Sequence, residues 1–382
     1  MAHIKDLRQR KAGYTGDRPY LARYRDPFGK ERTKTFRTQR DARNWLNEQE
    51  VAKSRNDWID PTSGRITFRE FAEQWKGVQV WRPSTSYQVE SSFRTWVYPR
   101  LGDKPLGAVR PTHVQAMVKE LSEHLAPNTV KAIYRHTAAA FKAATRDRLI
   151  TRTPCEGITL PKATKDTRIV PLEVDQIRAV ADAMPDRWQA TIMLAAGTGL
   201  RQGEVLGLTL DRVDFLRRTV KVDRQMLTPS SGQPHHGPPK TQASYRTVPL
   251  PDVIAFELSE HLRNFPPAED GLIFTRADGR PIPRAAIGGA WRTGAKNAKL
   301  PEGVTFHDLR HFYASLLIRH GESVKVVQTR LGHASAAVTL DVYGHLWPDS
   351  EDRTRAAVEE AFGRSESQEA GEPQRMGPRH SR

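Results

Sequence analysis

TFHDLRHFYASLLIRHGESVKVVQTRLGHASAAVTLDVYGH, residues Thr305 to His345, sets His307, Arg310, His333 and Tyr343 into an otherwise helical apolar pattern. Leu309, Phe312, Tyr313, Leu316 and Leu317 fall at i, i+3, i+4, i+7 and i+8, the spacing of one buried helical face. Tyr313 therefore belongs to the core. His307 and Arg310 share a different flank, and small Ala314 one turn on predicts room above them. His311 falls to solvent or packing, and His333 follows Gly332, a residue that ends helices. A cation and an imidazole are expected beside an open space.

Composition bounds what that space holds. A chain of 382 residues exceeds one ordinary domain, so two or three cores are expected. Lys and Arg number 60 against 44 Asp and Glu, a formal net charge of +16. Such an excess points to a polyanionic partner, most commonly nucleic acid. GC-rich coding accounts for arginine outnumbering lysine but not for the net charge. A single cysteine, Cys155, excludes a disulfide framework or thiolate metal cluster and fits a reducing cytoplasm. No apolar run approaches a membrane span, and the polar start lacks a signal-peptide core. A soluble cytoplasmic protein with no membrane partner is expected.

Residues 1 to about 60 read as a small basic unit. Tyr20, Ala22 and Tyr24 alternate with Leu21, Arg23 and Arg25, Asp26-Pro27-Phe28-Gly29 forms a turn, and Arg32, Lys34 and Phe36 continue extended. Thr38 caps a helix with Asp41 at its third position, and Ala42, Trp45 and Leu46 give that helix an apolar side. Two or three strands backed by a helix suit a DNA groove through Arg23, Arg25, Arg32 and Lys34; the bland alternative is a non-specific basic appendage. Asp57 to Arg65 reads as a linker. Four amphipathic stripes follow, Phe68 to Trp75, Tyr87 to Val97, Val114 to Leu121 and Val130 to Phe141, with Thr112 and Asn128 as caps. They predict a helical bundle over 65–160, with Lys119, Lys131, Arg135 and Lys142 as its DNA-facing cations.

After a basic boundary at Thr159 to Lys165, Pro171 and Leu172 open a helix, and Ala190 to Ala196 is buried on most sides. Gly197-Thr198-Gly199 is no phosphate loop, since neither a preceding strand nor a Gly-Lys-Ser/Thr accompanies it. It places Arg201 at a helix start with Glu204 one turn on. Thr219 to Val222 and Arg246 to Leu250 form a hairpin with Lys240 near its tip, and Ser230 to Gly237 is loop, its His235 and His236 lacking a third metal ligand. The tail after Trp347, residues 351–382, has the composition of disorder.

Arg201, Lys240 and Arg310 are cations on three separate elements. Two planar guanidiniums suit the oxygens of one phosphate, and an ammonium is a compact proton donor. His307 and His333 exchange hydrogen bonds near neutral pH. Tyr343 among such groups can be activated for attack on a phosphodiester with no metal or cofactor. Singly, each has a plainer reading: Arg201 and Glu204 as an exposed i, i+3 pair, His333 as the end of a helix.

Four segments in order, GTGLRQGEVLGL at 197–208, PKTQASYRTVPL at 239–250, HDLRHFYASLL at 307–317 and LGHASAAVTLDVYGH at 331–345, resemble the tyrosine recombinase, or phage integrase, family. The resemblance implies a mainly α multidomain protein: an arm-type DNA-binding domain at 1–60, a helical core-binding domain at 65–160 and a mixed α+β catalytic domain at 165–350. By it, Arg201, Lys240, His307, Arg310 and His333 activate the phosphate, Tyr343 is the nucleophile and Glu204 braces the set. It further implies a 3′-phosphotyrosine intermediate, integration and excision of a mobile element or phage, double-stranded attachment-site DNA, and a homotetramer acting near the nucleoid. An excision directionality factor and a DNA-bending protein are the accessory partners to expect. A type IB topoisomerase-like relaxing enzyme and a non-catalytic DNA-binding regulator are the rival readings.

Overall fold

The computed structural model describes residues 2–9, 15–55, 58, 60, 62–162, 170–229, 232–347 and 351–363, and the chain divides into two units, Met1–Lys165 and Asp166–Arg382. The first begins with β1 (His3–Asp6), β2 (Tyr20–Arg25) and β3 (Glu31–Phe36), an antiparallel sheet in that order, followed by α1 (Gln39–Ser54). The Asp26 carboxylate shapes the β2–β3 turn by accepting from the Phe28 and Lys30 amides at 3.0 and 2.9 Å, and Gly29 there has φ +82°. The Thr38 hydroxyl accepts from the Asp41 amide at 3.1 Å, the expected cap. Alternation puts Ala22 and Tyr24 on the face that packs with Ala42, Leu46 and Trp58.

Two expectations fail here. Arg32 is no free cation: it binds Asp26 at 3.0 Å and Asp60, and lies over the Trp58 ring at 5.7 Å. Paired opposite Tyr24, it spends its charge on the protein's own carboxylates. The stretch read as a linker is anchored too, because buried Trp58 donates to the Tyr24 hydroxyl at 2.8 Å. A turn-rich composition hid one large apolar side chain that needed a core. Asp57, Ile59 and Pro61 of that stretch lie outside the described residues.

The same unit continues with α2 (Phe68–Gly77), α3 (Pro83–Ser92), a wide π-helical segment (Phe93–Gly102), α4 (Pro111–His124) and α5 (Pro127–Arg146). Thr67 and Glu70 cap α2 reciprocally, Glu70 accepting from the Thr67 amide at 2.9 Å. Prolines 111 and 127 occupy the first helical position, where the missing N–H costs nothing. The caps are therefore Arg110 and Ala126, ahead of the Thr112 and Asn128 expected. Phe68, Phe93 and Phe141 centre the core, with Phe68 stacked on Phe141 at 4.6 Å. Tyr87, placed on a buried stripe by spacing, is exposed, and Val89 takes the buried position.

The second unit opens with α6 (Val174–Asp182), capped by Glu173 rather than begun at Pro171, then α7 (Asp186–Thr198) and α8 (Gln202–Leu206). Strands β4 (Val213–Asp214), β5 (Thr219–Val222), β6 (Gln225–Leu227), β7 (His235–Gly237) and β8 (Arg246–Pro249) follow. Their sheets are β4-β5-β8 and a separate β6-β7 ribbon. His235 to Gly237, read as loop, is thus a strand; flanking Pro234 and Pro238 masked its pairing with Gln225 to Leu227. Lys240 consequently sits on the return from that ribbon, not at a hairpin tip. Residues Ser230 and Ser231 lie outside the described residues.

Helices α9 (Asp252–Asn264), α10 (Arg284–Asn297), α11 (Asp308–Arg319), α12 (Val324–Leu331), α13 (Ala336–Tyr343) and α14 (Glu351–Gly363) complete the unit. Ile192, Leu194 and Ala195 of α7 pack in one core with Leu309, Tyr313 and Ala314 of α11. Ala314 is fully buried in the core, so it leaves no open room beside Arg310, whereas His307 stays exposed. The tail corrects the disorder expected from residue 351: its first thirteen residues, EDRTRAAVEEAFG, are rich in Ala and Glu and form α14. Residues 364–382 lie outside the described part, as do 163–165 of the boundary before α6. Among the described residues no helix is long and apolar enough to cross a membrane.

Candidate active site

The site starts where α7 stops. Gly199 takes φ +66°, and a Cβ there would lie 2.3 Å from the Tyr313 ring, so the Gly-Thr-Gly segment is a helix terminus packed tightly on α11. Its freed carbonyl accepts from Arg310 Nη1 at 2.8 Å, and Arg310 Nη2 donates to the carbonyl of Leu331. Two residues past Gly199, Arg201 caps α8 and donates from Nη2 to the next carbonyl, that of Gly332, at 3.2 Å. Consecutive carbonyls at the end of α12 therefore hold the two guanidiniums side by side. Arg310 is 2% exposed, and burial, then Arg201, push it down to about 9, still charged at neutral pH.

Gly332 has φ +64°, and a Cβ on it would meet the Ala243 carbonyl oxygen at 2.8 Å and Ser244 Cα at 3.1 Å. Gly332→Ala is expected to cost about 3 kcal/mol, from left-handed strain plus a clash with backbone. Thermal unfolding of the variant against the parent chain checks this, a drop of several degrees being the expected result.

Glu204 braces the arginines from behind. It is 3% exposed, receives Arg201 Nη1 at 2.8 Å, and receives Arg246 through two bonds at 2.8 and 3.2 Å. Burial would raise its carboxyl, but Arg246 and Arg201 bring it below the usual carboxylate range. The pair read as exposed is thus the buried centre of a three-residue cluster. Sequence reasoning missed Arg246, which donates from Nε to the Arg330 carbonyl at 2.8 Å. The signal was present: Arg246 is in phase with buried Val248 and Leu250, and an arginine on a buried strand face needs a partner.

Tyr343, the last residue of α13, is 1% exposed. Burial pushes its phenol up to about 12, against the lowering influence of Arg310 and Arg201. His333 donates or accepts through Nδ1 at 2.9 Å from the Thr339 hydroxyl, and its ring lies parallel to Tyr343 with centroids 6.3 Å apart. Burial and the nearby Arg310 and Arg201 hold it down to about 4, so it is neutral at pH 7. Burial, then His311 and Arg310, hold His307 down to about 4 as well, although the residue stands exposed at the rim. His311, assigned to solvent or packing, instead has its Nδ1 2.8 Å from the Tyr343 hydroxyl. Its spacing of four from His307 was the available signal, since i and i+4 share a helix face.

The structure thus brings together Arg201, Glu204, His307, Arg310, His333 and Tyr343. Lys240 is exposed outside this hydrogen-bonded set, but the adjoining Thr241 hydroxyl lies 2.9 Å from that of Ser244, which receives Arg201 at 3.1 Å. In the other unit Arg25, Lys34, Lys119, Lys131 and Arg135 are exposed. Arg23 is half-buried and bonded to Glu31 at 3.1 Å. Among the described residues no group of three or more His, Cys, Asp or Glu is placed to hold a metal.

Comparison with known proteins agrees with this layout. The phage integrase family profile matches residues 168–349, and the phage integrase central domain matches residues 68–159. A putative prophage phiRv2 integrase of Mycobacterium tuberculosis is 26% identical over 359 residues, covering 91% of each chain. A XerC-like tyrosine recombinase of Caldanaerobacter subterraneus is 25% identical over 309 residues, 74% of this chain and 79% of that one. The Tn1549 transposon integrase, solved as residues 82–397 with circular intermediate DNA, superposes with a TM-score of 0.66 at 25% identity, covering 78% of this chain and 100% of that one. A lambda integrase tetramer on a Holliday junction shares the fold at a TM-score of 0.55 and 20% identity, over 83% of this chain and 94% of that one. Adjoining family matches on both units, with integrases alike along nearly the whole length, establish that the chain belongs to the phage integrase family and is a tyrosine recombinase, an enzyme of site-specific DNA recombination in mobile elements.

Proposed function

We propose that Tyr343 attacks a scissile phosphodiester of an attachment site to form a 3′-phosphotyrosine, and that a partner strand's 5′-hydroxyl then attacks in turn. The observation that carries this is the seating of Arg201 and Arg310 on the adjacent carbonyls of Gly332 and Leu331. Two forks so held present donors to the non-bridging oxygens of one phosphate, where negative charge builds during transfer. Glu204 and Arg246 keep Arg201 from swinging away. His307 and His333 hydrogen-bond the same oxygens, and Lys240, on its exposed segment, protonates the leaving 5′-oxygen. The phosphotyrosine conserves the bond energy, so strand joining needs no nucleotide.

By analogy with the lambda integrase tetramer on a Holliday junction, four protomers act on two duplexes. The N-terminal sheet and α1 serve as the arm-binding part, through Arg25, Lys34 and, more weakly, the Glu31-paired Arg23; Arg32 is set aside by its own ion pairs. Lys119, Lys131 and Arg135 serve the core-binding bundle over 65–160, and residues 165–350 the catalytic part. A directionality factor and a DNA-bending protein remain the accessory partners of this reading. The test is strand exchange on supplied attachment-site DNA. Joining that requires two sites supports a recombinase; relaxation of supercoils with one site supports the topoisomerase-like reading, and binding without covalent attachment supports a regulator.

A further inference from the structure

The recombinase chemistry leaves one proton unassigned to a single group. A phenol held up to about 12 is ionised in roughly one molecule in 10⁵ at pH 7, so a base beside it matters. Three imidazoles belong to the site, and they are not equivalent. His333 has its Nδ1 engaged with Thr339 at 2.9 Å and its ring plane parallel to the phenol. His307 stands at the rim, its ring centroid 4.9 Å from that of His311 and nearly perpendicular to it. Among the described residues only His311 reaches the phenolic oxygen, with Nδ1 at 2.8 Å and the two rings inclined by 63°.

We propose that His311 is a catalytic residue whose Nδ1 takes the phenolic proton as Tyr343 attacks DNA, and returns it when the strand is resealed. This rests on the reading of Tyr343 as nucleophile. In the forward step the Oη–H bond breaks, its proton passes to Nδ1, and the oxygen's electron pair forms the Oη–P bond. The P–O5′ bond breaks with its pair on the departing 5′-oxygen, which is protonated by Lys240. In the reverse step a 5′-hydroxyl returns its proton to the neutral Lys240 as its oxygen attacks phosphorus, the P–Oη bond breaks with its pair on Oη, and the phenolate recovers its proton from the His311 imidazolium. The two steps balance without any co-reactant.

The surroundings suit that cycle. Receiving the proton at Nδ1 requires a neutral ring with hydrogen on Nε2. Burial, then Arg310, favour the neutral ring, while Asp308 on the same helix acts the other way and steadies the imidazolium once formed. His311 directly follows two fixed residues of α11, Leu309 in the core and Arg310 seated on the Gly199 carbonyl, so its ring does not have to be ordered at the moment of attack.

The experiment follows covalent adduct formation in single turnover by the full chain on a nicked suicide substrate. His311→Ala and His311→Asn are both expected to lower the rate about 100-fold, with DNA binding by gel shift and thermal unfolding close to the parent. Asn keeps an acceptor near the Nδ1 position but cannot hold the proton. Replacing Tyr343 by a difluorotyrosine, a more acidic phenol, is expected to raise the rate of His311→Ala at least tenfold. A parent-like rate for His311→Asn overturns the proposal, because accepting a hydrogen bond would then suffice. Failure of the fluorinated phenol to rescue His311→Ala overturns it as well. An adduct formed by Tyr343→Phe is a different failure, that of the nucleophile itself.

Discussion

Tyr343→Phe is expected to bind attachment-site DNA as tightly as the parent chain and to form no covalent protein–DNA adduct on a denaturing gel. The substitution removes one oxygen from a side chain that is 1% exposed, and the phenyl ring keeps the same volume, so α13 and its packing persist. What disappears is the proposed nucleophile and the 2.8 Å bond to His311. Losing that bond costs about 1 kcal/mol of stability, too little to unfold the unit. Strand cleavage, by contrast, is expected to fall below detection, because the oxygen proposed to attack is gone and the nearby Ser244 hydroxyl is engaged by Arg201 and Thr241. An adduct of undiminished yield would refute the assignment of Tyr343.

Glu204→Gln is the second change with a large expected effect. The carboxylate is shared by Arg201 and Arg246 in a nearly dry setting, with Arg246 bonded through both terminal nitrogens. Neutralising it leaves two cations facing each other without a counter-charge. Removing one member of a buried ion pair costs about 3–5 kcal/mol, which in a unit of this size lowers the midpoint of thermal unfolding by roughly 10 °C. Adduct formation should drop at least as steeply as the fold weakens, since Arg201 loses its brace. The pH dependence has a definite sign. Because the folded carboxyl lies below its ordinary value, its contribution is present above the usual Glu pKa of about 4.3 and is lost as pH falls through the folded value. The parent should therefore lose stability on acidification over that window, and Glu204→Gln should lose less. Equal acid sensitivity of the two chains, measured by thermal unfolding from neutral pH downward, would count against the buried pair.

Much of the fold could be read from local chemistry. Thr38 with Asp41 capped the first helix as expected, and the Asp26 to Gly29 turn joined two strands at the expected place. The stripes over Phe68 to Phe141 closed a helical core, with Tyr87 the misplaced member. Each of these depends on residues within a turn or two of one another. His235 to Gly237 escaped because a three-residue strand between prolines has no room to display a period. The helix after Trp347 escaped because its composition was averaged with the polar segment beyond it.

For the site, residue identity and order were enough to nominate Arg201, His307, Arg310, His333 and Tyr343, and to suggest that a phosphate was their object. Sequence by itself determined which groups carry charge, which can pass a proton, and which helix faces are apolar, because those properties belong to side chains and to short-range spacing. Tertiary structure alone decided their partnerships. It closed the space over Arg310 with Ala314 and two carbonyls, turned Glu204 from a surface partner into a buried brace, brought in Arg246, and set His311 against Tyr343. It also withdrew Arg32 from the DNA-facing set by offering it Asp26 and Asp60. The physical reason is one of range: hydrogen bonds and desolvated ion pairs act over about 3 Å, between groups that here lie from 6 to more than 100 residues apart, and no periodicity along the chain encodes such a meeting.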